Sequence, residues 1–308
     1  MEAIETFCHQ KNLDMQNIRF VGLDGCNTMS GERKGLQRRI RHASPFSLYI
    51  NCRNHRLALC FVHMMKKGPL LVEVDATLIS IWKMFHFSPK KAATFKNMQE
   101  AYGQRPLAFV RASTTRWLSH LSACLRFTAR FESLLDTIDA LVYDSHDADI
   151  LGIRNHMMRQ EFVATVLVLS DMLRPVNYLS LYLQEDCGTF TELPGRVQQC
   201  LDDLESISSR YQQHNLQDLE FRKCQEMFDV ITERTALAMR VRLGRRNEEM
   251  TPEGFLRDTG IPMIYTLKGE IQDAFSIHSA VLASFALLDP KNLPDDVIEV
   301  GTYGMEKG

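Results

Sequence analysis

Long apolar runs are scarce in this chain of 308 residues. The longest are Leu57–Met65, broken by His63, and Phe162–Leu169, both well short of the ~20 residues that cross a bilayer as a helix. No membrane span is expected. The opening residues, Met1 to Phe7, carry acids where a secretory leader carries a basic cluster and an apolar stretch, so an intracellular protein is expected. The eight cysteines lack any repeating spacing, and a chain this long needs no disulfides to make up for a small core. Reduced thiols are the expectation. An overall basic excess is lacking too, because the formal net charge is −2. That excludes a surface that is cationic throughout, but it leaves room for local asymmetry.

The asymmetry is there. From Ser30 to Arg56, Arg33, Lys34, Arg38, Arg39, Arg41, Arg53 and Arg56 stand against Glu32 alone. Residues 132–149 run the other way, with Glu132, Asp136, Asp139, Asp144, Asp147 and Asp149 unopposed in that stretch. Apolar residues make up 45% of the chain, the share of a globular protein, and the length allows two domains at about 100–200 residues each.

Hydrophobic spacing divides the chain. Ile4, Phe7 and Leu13 predict a short helix, and Ile18–Leu23 predicts a strand stopped by Asp24-Gly25. A basic helix follows over Gly31–His42, with Leu36 and Ile40 four apart. Ser44-Pro45 breaks it before a second strand, Phe46–Cys52, and a helix begins around His55. The order α-β-α-β-α predicts parallel strands. From about residue 75 the pattern is helical, with stripes such as Leu78, Ile81, Trp82 and Phe85, or Phe162, Val166, Leu169, Leu173 and Val176 around a kink at Pro175. Leu118 through Ile138 reads as one long stripe, Leu267 through Phe285 as the last, and no internal repeat is present.

Four strings in order carry a family likeness. They are Val21-Gly-Leu-Asp24-Gly25-Cys-Asn27-Thr-Met29-Ser30-Gly31, then Gly35-Leu36-Gln37, then Cys52-Arg-Asn-His55-Arg56-Leu57, and later Thr115-Arg116-Trp117-Leu118. Together they resemble the hAT superfamily of DNA transposases and the vertebrate proteins domesticated from them. The resemblance implies a ribonuclease-H-like fold interrupted by a large helical insertion. The expected class is therefore α+β, mostly α: a partial ribonuclease-H-like α/β unit over 1–70, an all-helical insertion-like domain over 71–288, and a polar tail over 289–308.

In that family three carboxylates hold two divalent metals, because ions ~3.5–4 Å apart must clamp the attacking and leaving oxygens of a phosphodiester. Asp24 matches the second carboxylate, at the end of a strand, where ligands converge in parallel sheets. Its plain reading is the turn residue of Asp-Gly. Upstream the only acids are Glu2, Glu5 and Asp14, in or beside the first helix, and the match ends at Asp289-Pro290. The expectation is a chain cut at both ends, with Asp24 a vestigial ligand position, no cofactor of its own, and Mg²⁺ only if a longer chain supplies the missing carboxylates. It is not expected to be an enzyme.

The remaining candidates each have two readings. Cys52 and His55 are a family motif beside the active site, or a strand-end thiol and a helix-start imidazole holding local backbone. Zinc on the repeat Cys60-x-x-His63 is disfavoured, since at about 100° per residue His55, Cys60 and His63 do not share a helix face. The resemblance implies that Arg116 and Trp117 meet a DNA end, the Trp stacking on a displaced base and the Arg on phosphate. Their plain reading is a helix start capped by Thr114 or Thr115, with the Trp in the core. Arg38, Arg39 and Arg41 track phosphates or form a solvated helix face. Arg240, Arg242, Arg245 and Arg246 read as a helix carboxyl terminus.

The resulting expectation is a transposase-derived, catalytically incompetent protein with residual nucleic-acid or chromatin association, nuclear rather than cytoplasmic, and without membrane contact. The alternative is a nuclear scaffold for protein partners, similar to domesticated relatives that are zinc-finger proteins or SUMO ligases, or else a fragment with no function of its own. An edge at Ile18–Leu23 without its outer neighbour predicts self-association.

Overall fold

The computed structural model describes residues 1–112, 118–184, 192–239 and 250–276. The chain is mostly helical, with one two-stranded parallel sheet among the described residues, and divides into two compact units, Met1–Cys60 and Phe61–Gly308.

The first unit begins with α1 (Glu2–Gln10), which ends just before Asn12 takes a left-handed φ of 54°, a conformation asparagine tolerates. Asp14 then accepts a hydrogen bond from the Gln16 N–H at 2.9 Å and caps a single 3₁₀ turn. The aromatic and β-branched runs form β1 (Phe20–Leu23) and β2 (Leu48–Asn51), which pair in parallel from Phe20 opposite Leu48 to Leu23 opposite Asn51. Between them lie a short α2 (Asn27–Ser30), which hydrophobic spacing does not reveal, and α3 (Leu36–Ala43). Ser44, wholly buried, places its hydroxyl 3.0 Å from the Gln16 carbonyl and 2.6 Å from that of Ile18, tying the end of α3 to the entry of β1.

Two glycines make the α2 to α3 connection. The Gly35 N–H donates to the Gly31 carbonyl at 2.9 Å, and a Cβ on either residue would stand 2.4 Å from backbone atoms, so only glycine fits at both. The helix α4 (Arg53–Lys66) starts directly after β2, and the division between the units falls within it.

The second unit contains α5 (Pro69–His86), α6 (Pro89–Ala101), α7 (Leu118–Ala129), α8 (Phe131–Ser145) and α9 (Ala148–Met157). Then come α10 (Gln160–Tyr182), α11 (Leu193–Gln212), α12 (Cys224–Met239), α13 (Pro252–Phe255) and α14 (Ile261–Ser276), the last two joined by a wide π turn, Leu256–Gly260. The centre is α10, which touches α5, α7, α9, α11, α12 and α13. Its expected stripe is buried, but so are Val163, Leu167, Val168 and Met172 on its other faces. Helix α10 is long and apolar enough to cross a membrane, yet 83% of its apolar window is buried inside the protein, as in a core helix. Pro175 sits inside α10 without ending it.

Two sequence readings need correction. The stripe from Leu118 to Ile138 is not one helix: Arg130, at φ −128° and ψ 20°, separates α7 from α8. And three of the acids of 132–149, Asp136, Asp139 and Asp147, are opposed in space, the last by Lys91 at 3.9 Å. Arg234 of α12 meets Asp136 at 2.6 Å and Asp139 at 3.4 Å, Arg154 pairs with Asp139, and Asp147 accepts from the Asp149 N–H at 2.9 Å to cap α9. Charge that looks unbalanced along the chain is balanced in part across helices.

Candidate functional site at the carboxyl end of the paired strands

Parallel pairing brings the ends of β1 and β2 side by side, so the residues that follow each strand share one edge of the sheet. Asp24, fully exposed, follows β1. Its carboxylate accepts from the Cys26 N–H at 3.2 Å, a turn that hands the chain to α2, and the Ser30 hydroxyl lies 2.9 Å from the Gly25 carbonyl and 3.0 Å from that of Cys26. Hydrogen bonding by the Cys26 thiol and backbone, with a smaller attraction from His55, holds the Asp24 carboxyl below the usual range. From the β2 side, the Tyr49 hydroxyl donates to Asn51 Oδ1 and lies 3.4 Å from the Asp24 carbonyl. Burial raises the Tyr49 phenol above its ordinary value, partly offset by the Ser30 hydroxyl. The half-buried His55 ring lies 3.7 Å from where a Cβ on Gly25 would stand.

The fold thus brings Asp24 and His55 to one edge. Cys52, which follows β2, is exposed. Tyr49 escaped the sequence reading and Ser30 stood in the first string without a role of its own, although Tyr49 and Asn51, two apart on a strand, belong to one face by parity. Beside the Asp24 carboxylate stand a thiol, an imidazole and a phenol, and of these side chains only the carboxylate and the phenol offer the hard oxygen that Mg²⁺ takes. Among the described residues no three His, Cys, Asp or Glu side chains form a group that could hold a metal.

The arginines of α3 behave differently from one another. Arg38 and Arg41, three apart on the helix, share with Arg33, Glu32 and Gln37 the lining of an open concavity of about 560 Å³. Arg39, one position on from Arg38, is exposed but does not line it. None of Arg33, Arg38, Arg39 and Arg41 makes a salt bridge among the described residues. Arg53 leaves the patch altogether: it is 6% exposed, and burial, with the neighbouring Arg56, lowers its pKa. Arg116 and Trp117 lie outside the described residues, as do Arg240, Arg242, Arg245, Arg246 and the segment from Phe285 to Pro290.

Compared with family models, with curated proteins and with solved structures, the chain matches none.

Proposed function

We propose that this chain is a transposase-derived protein of hAT type that binds nucleic acid without cutting it, and that the arginine face of α3 makes the contact. The observation that carries this reading is the convergence of Arg33, Arg38 and Arg41 on one open concavity, with no salt bridge to neutralise them among the described residues. Guanidinium groups held in this way match phosphate oxygens in geometry and charge, and each phosphate neutralised releases counterions. The hAT reading draws support from the parallel pairing of two strands, with Asp24 after one and Cys52 and His55 after the other. The noncatalytic reading draws support from the use of the nearby acids. Asp24 closes a turn, Asp14 caps another, and Glu2 and Glu5 lie on α1.

The test is duplex binding followed across salt concentration. Replacing Arg38, Arg39 and Arg41 together by Ala is expected to weaken binding and to flatten its log-log salt slope by up to about 0.9 for each phosphate that is no longer neutralised. Unchanged affinity and slope would return α3 to the status of a solvated face. With Mg²⁺ or Mn²⁺ present, neither the native chain nor Asp24→Ala is expected to nick or join DNA. Cleavage that Asp24→Ala abolishes would make the chain an enzyme after all.

A further inference from the structure

The second unit carries a charge pattern that sequence reading passed over. Between Asp75 and Glu132 the only acid is Glu100, and nine lysines and arginines stand against it. The same stretch sorts its aromatic rings into two groups. Phe85, Phe95 and Phe109 stack on one another, at centroid distances of 4.8 Å for Phe85 with Phe95 and 5.4 Å for Phe95 with Phe109. Phe85 and Phe95 are buried, and this group is ordinary core.

The other group reaches solvent through His86 and Phe87, both exposed, behind which Trp82 is half-buried. Trp82 stacks on His86 at 4.5 Å with 21° between the planes, and Phe87 meets both rings edge on, 5.7 Å from Trp82 and 4.8 Å from His86. Phe87 is 72% exposed. The Arg111 guanidinium lies over the Trp82 ring at 5.5 Å, and Lys83 and Lys90 flank the rings in sequence, both exposed and without a salt bridge among the described residues.

The position of Arg111 is built rather than incidental. It follows an extended segment whose Leu107 N–H donates to Gln99 Oε1 at 2.9 Å. Arg130 donates to the Arg105 carbonyl at 3.0 Å, Arg126 donates to the Ala108 carbonyl, and Phe109 is anchored in the stacked core two residues before Arg111.

We propose that Trp82, His86, Phe87 and Arg111 form a stacking platform for single-stranded nucleic acid. Unpaired bases would lie on the exposed rings, with phosphates on Arg111, Lys83 and Lys90. Rings of this kind stack on any base because every base has a π face, while the surrounding cations follow the backbone. A duplex offers the charge but not the free faces. Lys91 and Lys96 are spent on Asp147 and Glu100, but Arg111, Lys83 and Lys90 have no salt bridge among the described residues. These cations select a polyanion, and the exposed rings select one that carries flat apolar groups.

The experiment uses the full chain carrying Arg38→Ala, Arg39→Ala and Arg41→Ala, so that α3 does not contribute, and Trp117→Phe, so that Trp82 alone reports. Labelled oligothymidylate of about 12 nucleotides, within the span such sites cover, is titrated beside an abasic strand and a duplex of equal length. Oligothymidylate is expected to quench Trp82 and to bind at least about fivefold tighter than either control, the lower end of what one base stack contributes. Phe87→Ala is expected to lose about that factor, Phe87→Tyr to keep it, and Arg111→Ala to weaken binding while flattening its salt slope. Equal affinity for the abasic strand, indifference to Phe87→Ala, or no binding at all would overturn the platform. So would polyglutamate competing as well as oligothymidylate per charge, which would mark a surface for acidic polypeptide. Duplex binding by the chain with α3 intact is read separately, so the two proposals fail independently.

Discussion

Asp171 shows what one residue can impose. It lies on α10 and is 1% exposed, yet its carboxylate accepts from the Tyr211 hydroxyl at 2.8 Å, the Glu220 N–H at 2.6 Å and the Phe221 N–H at 3.0 Å. It thereby fastens α11 and the turn before α12 to the central helix. Burial raises its pKa from 3.8 to about 6 despite these three donors. An acid whose folded pKa is raised keeps its proton longer in the folded state. Stability from this group is therefore greatest below pH 3.8 and is lost as pH rises towards 6, by about 3 kcal/mol at 1.36 kcal/mol per pKa unit. Asp171→Asn is expected to remove that slope from urea unfolding measured between pH 4 and 6.5. It is also expected to cost roughly 1–3 kcal/mol, because the new amide faces a backbone N–H that loses its acceptor. An unchanged slope would place the titration elsewhere. In the sequence Asp171 is visible only as an acid inside an apolar stripe, and Tyr211, forty residues on, cannot be paired with it by any local pattern.

At the scale of elements, apolar spacing revealed most helices, because a helix that buries one face repeats its apolar residues, while β-branched and aromatic runs revealed both strands and their parallel order although no residue of β1 is buried. It missed what depends on backbone approach. The connection between α2 and α3 is set by Gly31 and Gly35 touching through their main chains, and glycine in a basic, polar stretch reads merely as a loop. Gly35→Ala is expected to destabilise the first unit by about 1–3 kcal/mol, the cost of forcing atoms into filled space, and to speed amide exchange in α2 and α3. Gly152, inside α9, is the contrast, since a Cβ there would meet nothing within 4 Å. Gly152→Ala is expected to be neutral or to stabilise by up to about 1 kcal/mol, as helix propensity dictates. Comparing thermal unfolding of the two variants checks both. The break at Arg130 was illegible for another reason: it has no glycine or proline, and it is fixed by hydrogen bonds from its guanidinium to Gln99 Oε1 and the Arg105 carbonyl. The candidate site was half legible. Asp24 and His55 stand in the strings that carry the family likeness, whereas the ring platform needed α5 and the segment ending at Arg111 to be brought together in space.

Across the whole molecule, the two units differ in how they bury their chain. Each strand of the parallel pair has a single partner among the described residues, leaving one edge of hydrogen-bonding groups on either side. In α10, 16 of 23 residues are buried. Amides of β1 and β2 are therefore expected to exchange well before those of α10, whose opening requires the second unit to come apart. Hydrogen exchange read by mass spectrometry decides this, and equal protection of Phe20–Leu23 and Val163–Met172 would contradict it. The segregation of charge has a practical side. Asp136 and Asp139 of α8 are neutralised by Arg154 and Arg234, while Arg126 and Arg130 spend their hydrogen bonds on neutral carbonyls and have no acid to neutralise them among the described residues. Net charge then becomes a poor guide to adsorption, since a surface binds through its densest patch rather than its mean. With a pI near 6.6 the chain would be assigned to an anion exchanger at neutral pH. Its cationic stretches should instead hold it on a sulfonate resin, from which salt, and not a rise in pH of one unit, releases it.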